Sequence, residues 1–257
     1  MSNAVYPNAL RGIAWPIMKS ASFDTLVQSS ASKIESRIAQ TRNPVWNWTL
    51  IYNYLKDRPY DLVPSLGGYT DYAFLQDFYN SRQGRFDDFL FDDVTRDFVG
   101  PGLLQNNNPN LQAQLQLVND GAGNYYSPIQ YSYAGGFYED VTDINPLASG
   151  GSTTSGQGLS IWANGSLQRG YPTFADYTVG GPGLAIPGNS FLGLYAKWAA
   201  QPTPPITAQF FFYYRVRFDM DVADFEEFLY QVWTSGGPDT RNGAGYLKLI
   251  SARTSSI

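Results

Sequence analysis

Hydrophobic and polar positions alternate with a period of two over several long runs of this chain. In "NPVWNWTLIYNYLKD", Trp46, Trp48, Leu50, Tyr52 and Tyr54 share one face, while Val45, Asn47, Thr49, Ile51, Asn53 and Leu55 fall on the other. Such alternation predicts a long strand with one face in a core. Upstream, Ile34, Ser36 and Ile38 alternate more weakly against Lys33, Glu35 and Arg37. This run reads as the partner of the first, joined to it by a turn at Asn43-Pro44. The clearest run lies near the C-terminus, in "FFFYYRVRFDMDVADFEEF". There Phe210, Phe212, Tyr214, Val216 and Phe218 form one face, and Phe211, Tyr213, Arg215 and Arg217 form the other.

The period changes in "TDYAFLQDFYNSRQG", where Tyr72, Leu75, Phe78, Tyr79 and Arg82 recur at three and four residues. This predicts a helix, capped by Thr70 and ended by Gly84. The strand "RFDDFLFDD" follows. For residues 222–233 the pattern fits either period, with Phe225, Phe228, Leu229 and Val232 on a helical face or Phe228, Tyr230 and Val232 on a strand face. In "LSIWANGSLQRGY", Asn164-Gly165 predicts a hairpin turn between two short strands.

Composition agrees with the dominance of the two-residue period. Hydrophobic residues make up 43% of the 257 residues, aromatics 16% and charged residues only 15%. That balance favours strands over helices. Between about Val94 and Pro205 the chain becomes rich in Gly, Asn and Ser, with "QNNNPN", "NDGAGN", "ASGGSTTSGQG" and "VGGPGLAIPGNS" separating short apolar pieces. The expected organisation is a mainly β protein. Residues 1–94 and 206–257 form a β-sandwich core domain with one α-helix, and residues 95–205 form an inserted, peripheral, small β domain. Within the insertion, Ala148 to Gly158 reads as a loop or linker.

Charge and the absence of two residue types narrow the chemistry. The formal net charge is -5 and no basic run offsets it, which argues against nucleic-acid recognition. With no Cys and no His, the chain has no disulfide, thiolate nucleophile, imidazole base or histidine metal site. The N-terminus has no signal-peptide apolar region, and no run is long enough to span a bilayer.

Carboxylate doublets occur at Asp87-Asp88, Asp92-Asp93 and Glu226-Glu227. Neighbours on a strand point to opposite faces, so none of the doublets makes an acid/base pair, and no catalytic residue is assigned. Asp219, Asp221 and Asp224 could hold calcium through oxygen, but the glycine and terminal glutamate of a calcium loop are missing. No metal or cofactor is expected. Among the six tryptophans, Trp162 and Trp198 lie in the loop-rich insertion and are the candidates for exposed ligand contacts, such as stacking on a sugar.

Both ends of the chain carry a further signal. "YPNALRGIAWPIMKSASFDTLVQSSASKIESRIA", "PVWNWTLIYNYL", "FLQDFYNSRQGRFDDFLFDD", "FYYRVRFDMDVADFEEFLYQVW" and "LKLIS" resemble, in order, the distal tail proteins of siphophages and gene transfer agents, a tailed-phage family once known only as a domain of unknown function. Pro7, Gly12, Trp15, Ser32, Glu35, Arg37, Pro44, Trp46, Leu50, Tyr52, Arg82, Gln83, Gly84, Phe86, Asp87, Phe89, Arg215, Arg217, Phe218, Phe225, Glu226, Phe228 and Trp233 occupy motif positions of that family. The Gly-Ser and Asn-rich loops of the middle, and "GGPDTRNGAG", are longer than its pattern.

The resemblance implies a non-enzymatic virion structural protein: a homohexameric ring at the tail tip that joins the tail tube protein to the hub or baseplate protein, with the tape measure protein as a further candidate neighbour. The location it implies is the virion, assembled in the host cytoplasm, with no membrane insertion. The subunit-interface candidates are Arg215 and Arg217 with Asp219, Asp221, Glu226 and Glu227. The alternative is a tail component that binds carbohydrate or a host receptor through the inserted domain.

Overall fold

The computed structural model describes residues 4–7, 10, 13, 17–29, 33, 35–40, 44–58, 68–93, 98–99, 113–132, 138–145, 158–170, 176–181, 184–186, 189–191, 193–229, 232–236 and 246–252. The protein is mainly β, with several sheets and, among the described residues, one α-helix. This fits a β-sandwich-like core. The chain divides into two compact units, the first built from Met1–Phe91 with Arg215–Ala252 and the second from Asp92–Tyr214. The return boundary therefore falls inside the long strand Ile206–Phe218, whereas turn chemistry placed it at the start of that strand.

In the first unit, strand β1 (Met18–Ser22) leads through Phe23-Asp24 into β2 (Thr25–Ser29), and β3 (Glu35–Ala39) leads back to β4 (Val45–Ile51). Strand β4 is sandwiched between β1, with Lys19 opposite Trp48, and the C-terminal strand Tyr246–Ser251, with Leu249 opposite Trp48. The expected pairing of the 33–38 run with β4 is therefore wrong. Strand β3 pairs with β2, placing Ile38 opposite Leu26. Asn43 lies outside the described residues, and the partners of β4 are set by sheet packing.

On β4, Trp48 and Leu50 are buried as alternation predicts, as is Tyr52 just past its end, but Trp46 is half-buried and Tyr54 is exposed. The Lys19 ammonium lies 4.5 Å from the centre of the Trp46 ring. After β5 (Leu55–Lys56), helix α1 spans Asp71–Ser81. Thr70 Oγ1 accepts from Ala73 N, and Gly84 sits at φ +61° just past the end, where a β-carbon would meet the backbone of Asp221 at 3.3 Å. Leu75, Phe78 and Tyr79 form the buried face of the helix.

Strand β6 (Phe89–Phe91) supplies Phe89, which lies edge-on to Phe78 at 5.1 Å and 4.8 Å from Phe218. Tyr6 joins this aromatic cluster, and its hydroxyl is 2.7 Å from that of Tyr52. The ambiguous segment resolves as two strands, Asp224–Leu229 and Val232–Gly236, paired antiparallel, with the second also paired to β5. Tyr72 stacks on Trp233 at 4.3 Å.

In the second unit, the first part of the long strand buries Ile206, Ala208, Phe210, Phe212, Tyr213 and Tyr214. It pairs with Leu159–Ala163, in the register Leu159 to Phe210. That strand turns back at Asn164 (φ 47°) and Gly165 (φ 77°), the two positive values a tight hairpin needs. A further sheet of this unit has the strand order Tyr177–Gly180, Tyr195–Trp198, Tyr125–Pro128, Val118–Asn119. The expected loop from Ala148 lies outside the described residues except for Gly158.

Buried tyrosines make the fold sensitive to alkali. Burial first, and the Asp176 charge second, push the Tyr177 hydroxyl from 10.0 up to about 12. Burial also raises Tyr6 and Tyr52. A raised folded value means that the unfolded chain gives up its phenolic protons first, so the stabilisation is complete below about pH 10 and is lost as pH rises above it. Denaturant midpoints measured upward from about pH 8 should stay level and then fall from pH 10. A level midpoint well above pH 10 would contradict the burial of these hydroxyls.

Candidate functional site

Of the residues singled out by sequence, Arg215, Arg217, Asp219 and Asp221 lie at and just past the end of the long strand. Arg215 and Arg217 project from the same side of that strand, as alternation predicts, but their surroundings differ. The Arg215 side chain is 9% exposed and its Nη1 lies 3.5 Å from Asp88 Oδ2, whose side chain is 13% exposed. Asp88 was not among the acids read from the sequence as its partners. Arg217 is more open, donates from Nη1 to the Phe218 carbonyl at 3.1 Å and lies 3.9 Å from Asp219 Oδ1.

The doublet Asp87-Asp88 lies in the bend ahead of strand Phe89–Phe91, and its two carboxylates meet different arginines. Asp87 Oδ2 binds Arg82 Nη1 at 2.6 Å, and Asp88 turns to Arg215. The only sequence signal for Asp88 was the doublet itself, because the alternation that marks faces carries no information about which distant cation an acid meets.

Asp219 and Asp221 hold the turn that follows α1. The Asp219 carbonyl accepts from Arg85 Nη2 at 2.8 Å, and Asp221 Oδ1 accepts from Arg85 N at 3.3 Å. Tyr79 donates its hydroxyl to the Met220 carbonyl at 2.9 Å. These loop acids therefore fasten the chain's own helix-end turn. Glu226 and Glu227 lie on the strand Asp224–Leu229, opposite Thr234 and Trp233, and their side chains are outside the described residues. Among the described residues, no group of three or more acids is placed to hold a metal ion, and no helix is long and apolar enough to cross a membrane.

The candidate ligand-contact tryptophans separate in the second unit. Trp198 is 5% exposed, donates Nε1 to Ser127 Oγ at 3.0 Å and packs 5.6 Å from the Tyr177 ring. The expectation that it is exposed is corrected: loop-rich flanks hid a strand position whose polar edge has a buried acceptor. Trp162 is half-buried, opposite Thr207 on one side and Leu167 on the other.

Two arginines of one strand face thus predict unequal mutational effects. Arg217→Ala should change folding stability by no more than about 1 kcal/mol, the scale of an exposed ion pair. Equilibrium unfolding in urea checks this, and a substantially larger loss would mean that Arg217 has a buried role. No protein-family model matches the chain, and no curated protein matches it.

Proposed function

We propose that this protein is a virion structural protein, a ring component of the distal tail that connects the tail tube to the hub and baseplate. The observation that carries this reading is the convergence of motif residues from both ends of the chain into one compact unit, where several of them make specific contacts. Arg82 binds Asp87, Gly84 admits the Asp221 backbone, Phe89 packs on Phe218, and Arg215 meets Asp88. Motif residues this far apart in sequence that meet in one packed unit support the resemblance to distal tail proteins.

A homohexamer follows from the same reading, with one face of the long strand in the core and exposed elements of the first unit available to neighbouring copies. The glycan-binding alternative finds less support, because Trp198 is committed to a core and leaves Trp162 to carry it. Mass photometry and negative-stain imaging of the purified protein test the ring directly. Closed rings of six copies are expected, and monomers at every concentration, even with the tail tube protein present, would overturn the reading.

A further inference from the structure

Strands β2 and β3 are exposed at every one of their residues. They continue the β1–β4 pair: Ser22 is opposite Val45, Gln40 N donates to the Asp24 carbonyl at 2.8 Å, and Thr25 is then opposite Ala39. The result is an arm that runs on past the sheet. At 3.3 Å per residue, its five-residue strands reach about 17 Å. Among the described residues these strands pair only with each other. A lone two-stranded hairpin is marginal in water, and stability ordinarily requires a third strand or a packed face.

The side chains of the arm show what kind of surface would complete it. Leu26 and Ile38 sit opposite one another on one face at 39% and 53% exposure, and Val27 lies on the other at 53%. Phe23, at the base, is 59% exposed. The charged residues of the two strands, Glu35 and Arg37, bind each other at 2.6 Å. Their charges cancel, so the arm has little to offer a polyanion or a strongly charged peptide. It fits an uncharged partner that presents apolar contact and a backbone edge.

We propose that the arm docks on a second copy of this chain, against the outer edge of that copy's β1. Each copy carries the acceptor as well as the arm, since among the described residues β1 stands at the end of its sheet, with Met18 53% exposed. The arm cannot fill its own acceptor, because β2 departs from β1 in the same direction after only Phe23 and Asp24. Five residues of β1 match five of β2 or β3. An arm from Phe23 to Gln40 approaches the roughly 20 residues a side of a standard interface. Donor and acceptor are different patches, so the contact is heterologous and closes into a ring when the rotation allows. This inference rests on the ring reading and names the element that would make its seam.

The native chain has no cysteine, so introduced thiols report cleanly. Full-length Val27→Cys protein mixed with full-length Ser20→Cys protein should give a disulfide-linked dimer under mild oxidation. The double variant Leu26→Ser with Ile38→Thr, which removes the apolar contact without placing like charges opposite one another, should lose all species above the monomer while melting as the wild type does, because both positions are exposed. Wild-type assemblies that survive the double variant, with no cross-link, would overturn the arm and leave the ring standing. A wild-type protein that is monomeric throughout would overturn both. Should the double variant fail to fold, the cross-link alone decides.

Discussion

Trp48→Ala should lower the stability of the protein by about 3 to 5 kcal/mol, the range for removing a buried aromatic. Trp48 is 1% exposed, sits between β1 and the C-terminal strand, and meets Phe91 edge-on at 5.5 Å. Its removal leaves a cavity that two hydrogen-bonded neighbours cannot collapse to fill. In a thermal melt this corresponds to a fall of about 10 to 20 °C for units of this size. Trp46→Ala should cost clearly less, because that ring is half-buried and partly covered by Lys19. The pair of variants tests the register as well as the burial, since a slip of one residue would exchange the faces of the whole strand. A Trp48→Ala protein that melts with the wild type would contradict the placement of β4.

The second large effect is expected at Arg215. A guanidinium that is 9% exposed and faces a carboxylate that is 13% exposed has lost most of its water. Arg215→Ala should cost about 3 to 5 kcal/mol, the range for removing one partner of a desolvated ion pair. Replacing both partners, Arg215→Met with Asp88→Leu, should recover most of the loss, because an apolar pair removes the desolvation cost along with the attraction. Urea unfolding of the two single variants and the double variant forms a cycle whose coupling reports the pair. A loss of about 1 kcal/mol or less from Arg215→Ala would place the pair with ordinary surface ion pairs.

The long strand was legible because its period of two runs unbroken from Phe210 to Phe218, and burial follows it residue by residue on the core face. Helix α1 was legible because Thr70, the spaced apolar positions and Gly84 all agree about its ends. The hairpin at Asn164-Gly165 was legible for the same local reason, since both positions need positive φ. What failed was non-local. Strand β4 pairs with residues near the C-terminus, and Trp46 N donates to Ser251 Oγ at 2.9 Å, a contact that no neighbouring residue announces.

The candidate site shows the same division. Alternation put Arg215 and Arg217 on one side of a strand, but only packing distinguishes a buried guanidinium facing Asp88 from a more open one. Trp198 was misread because the surrounding glycines and prolines describe its flanks and not the pocket made by Tyr177 and Ser127. The arm was missed because Leu26, Val27 and Ile38 are the residue types expected of a core strand, and nothing in their pattern says that the core is absent.

The central claim is that this chain occupies the tip of a phage tail. Immunogold labelling with an antibody to this protein, applied to the particles whose genome encodes it, tests that claim most directly. Gold confined to the distal end of the tail is the predicted result. Gold along the tube or on the capsid, or intact particles that never carry the label, would contradict it.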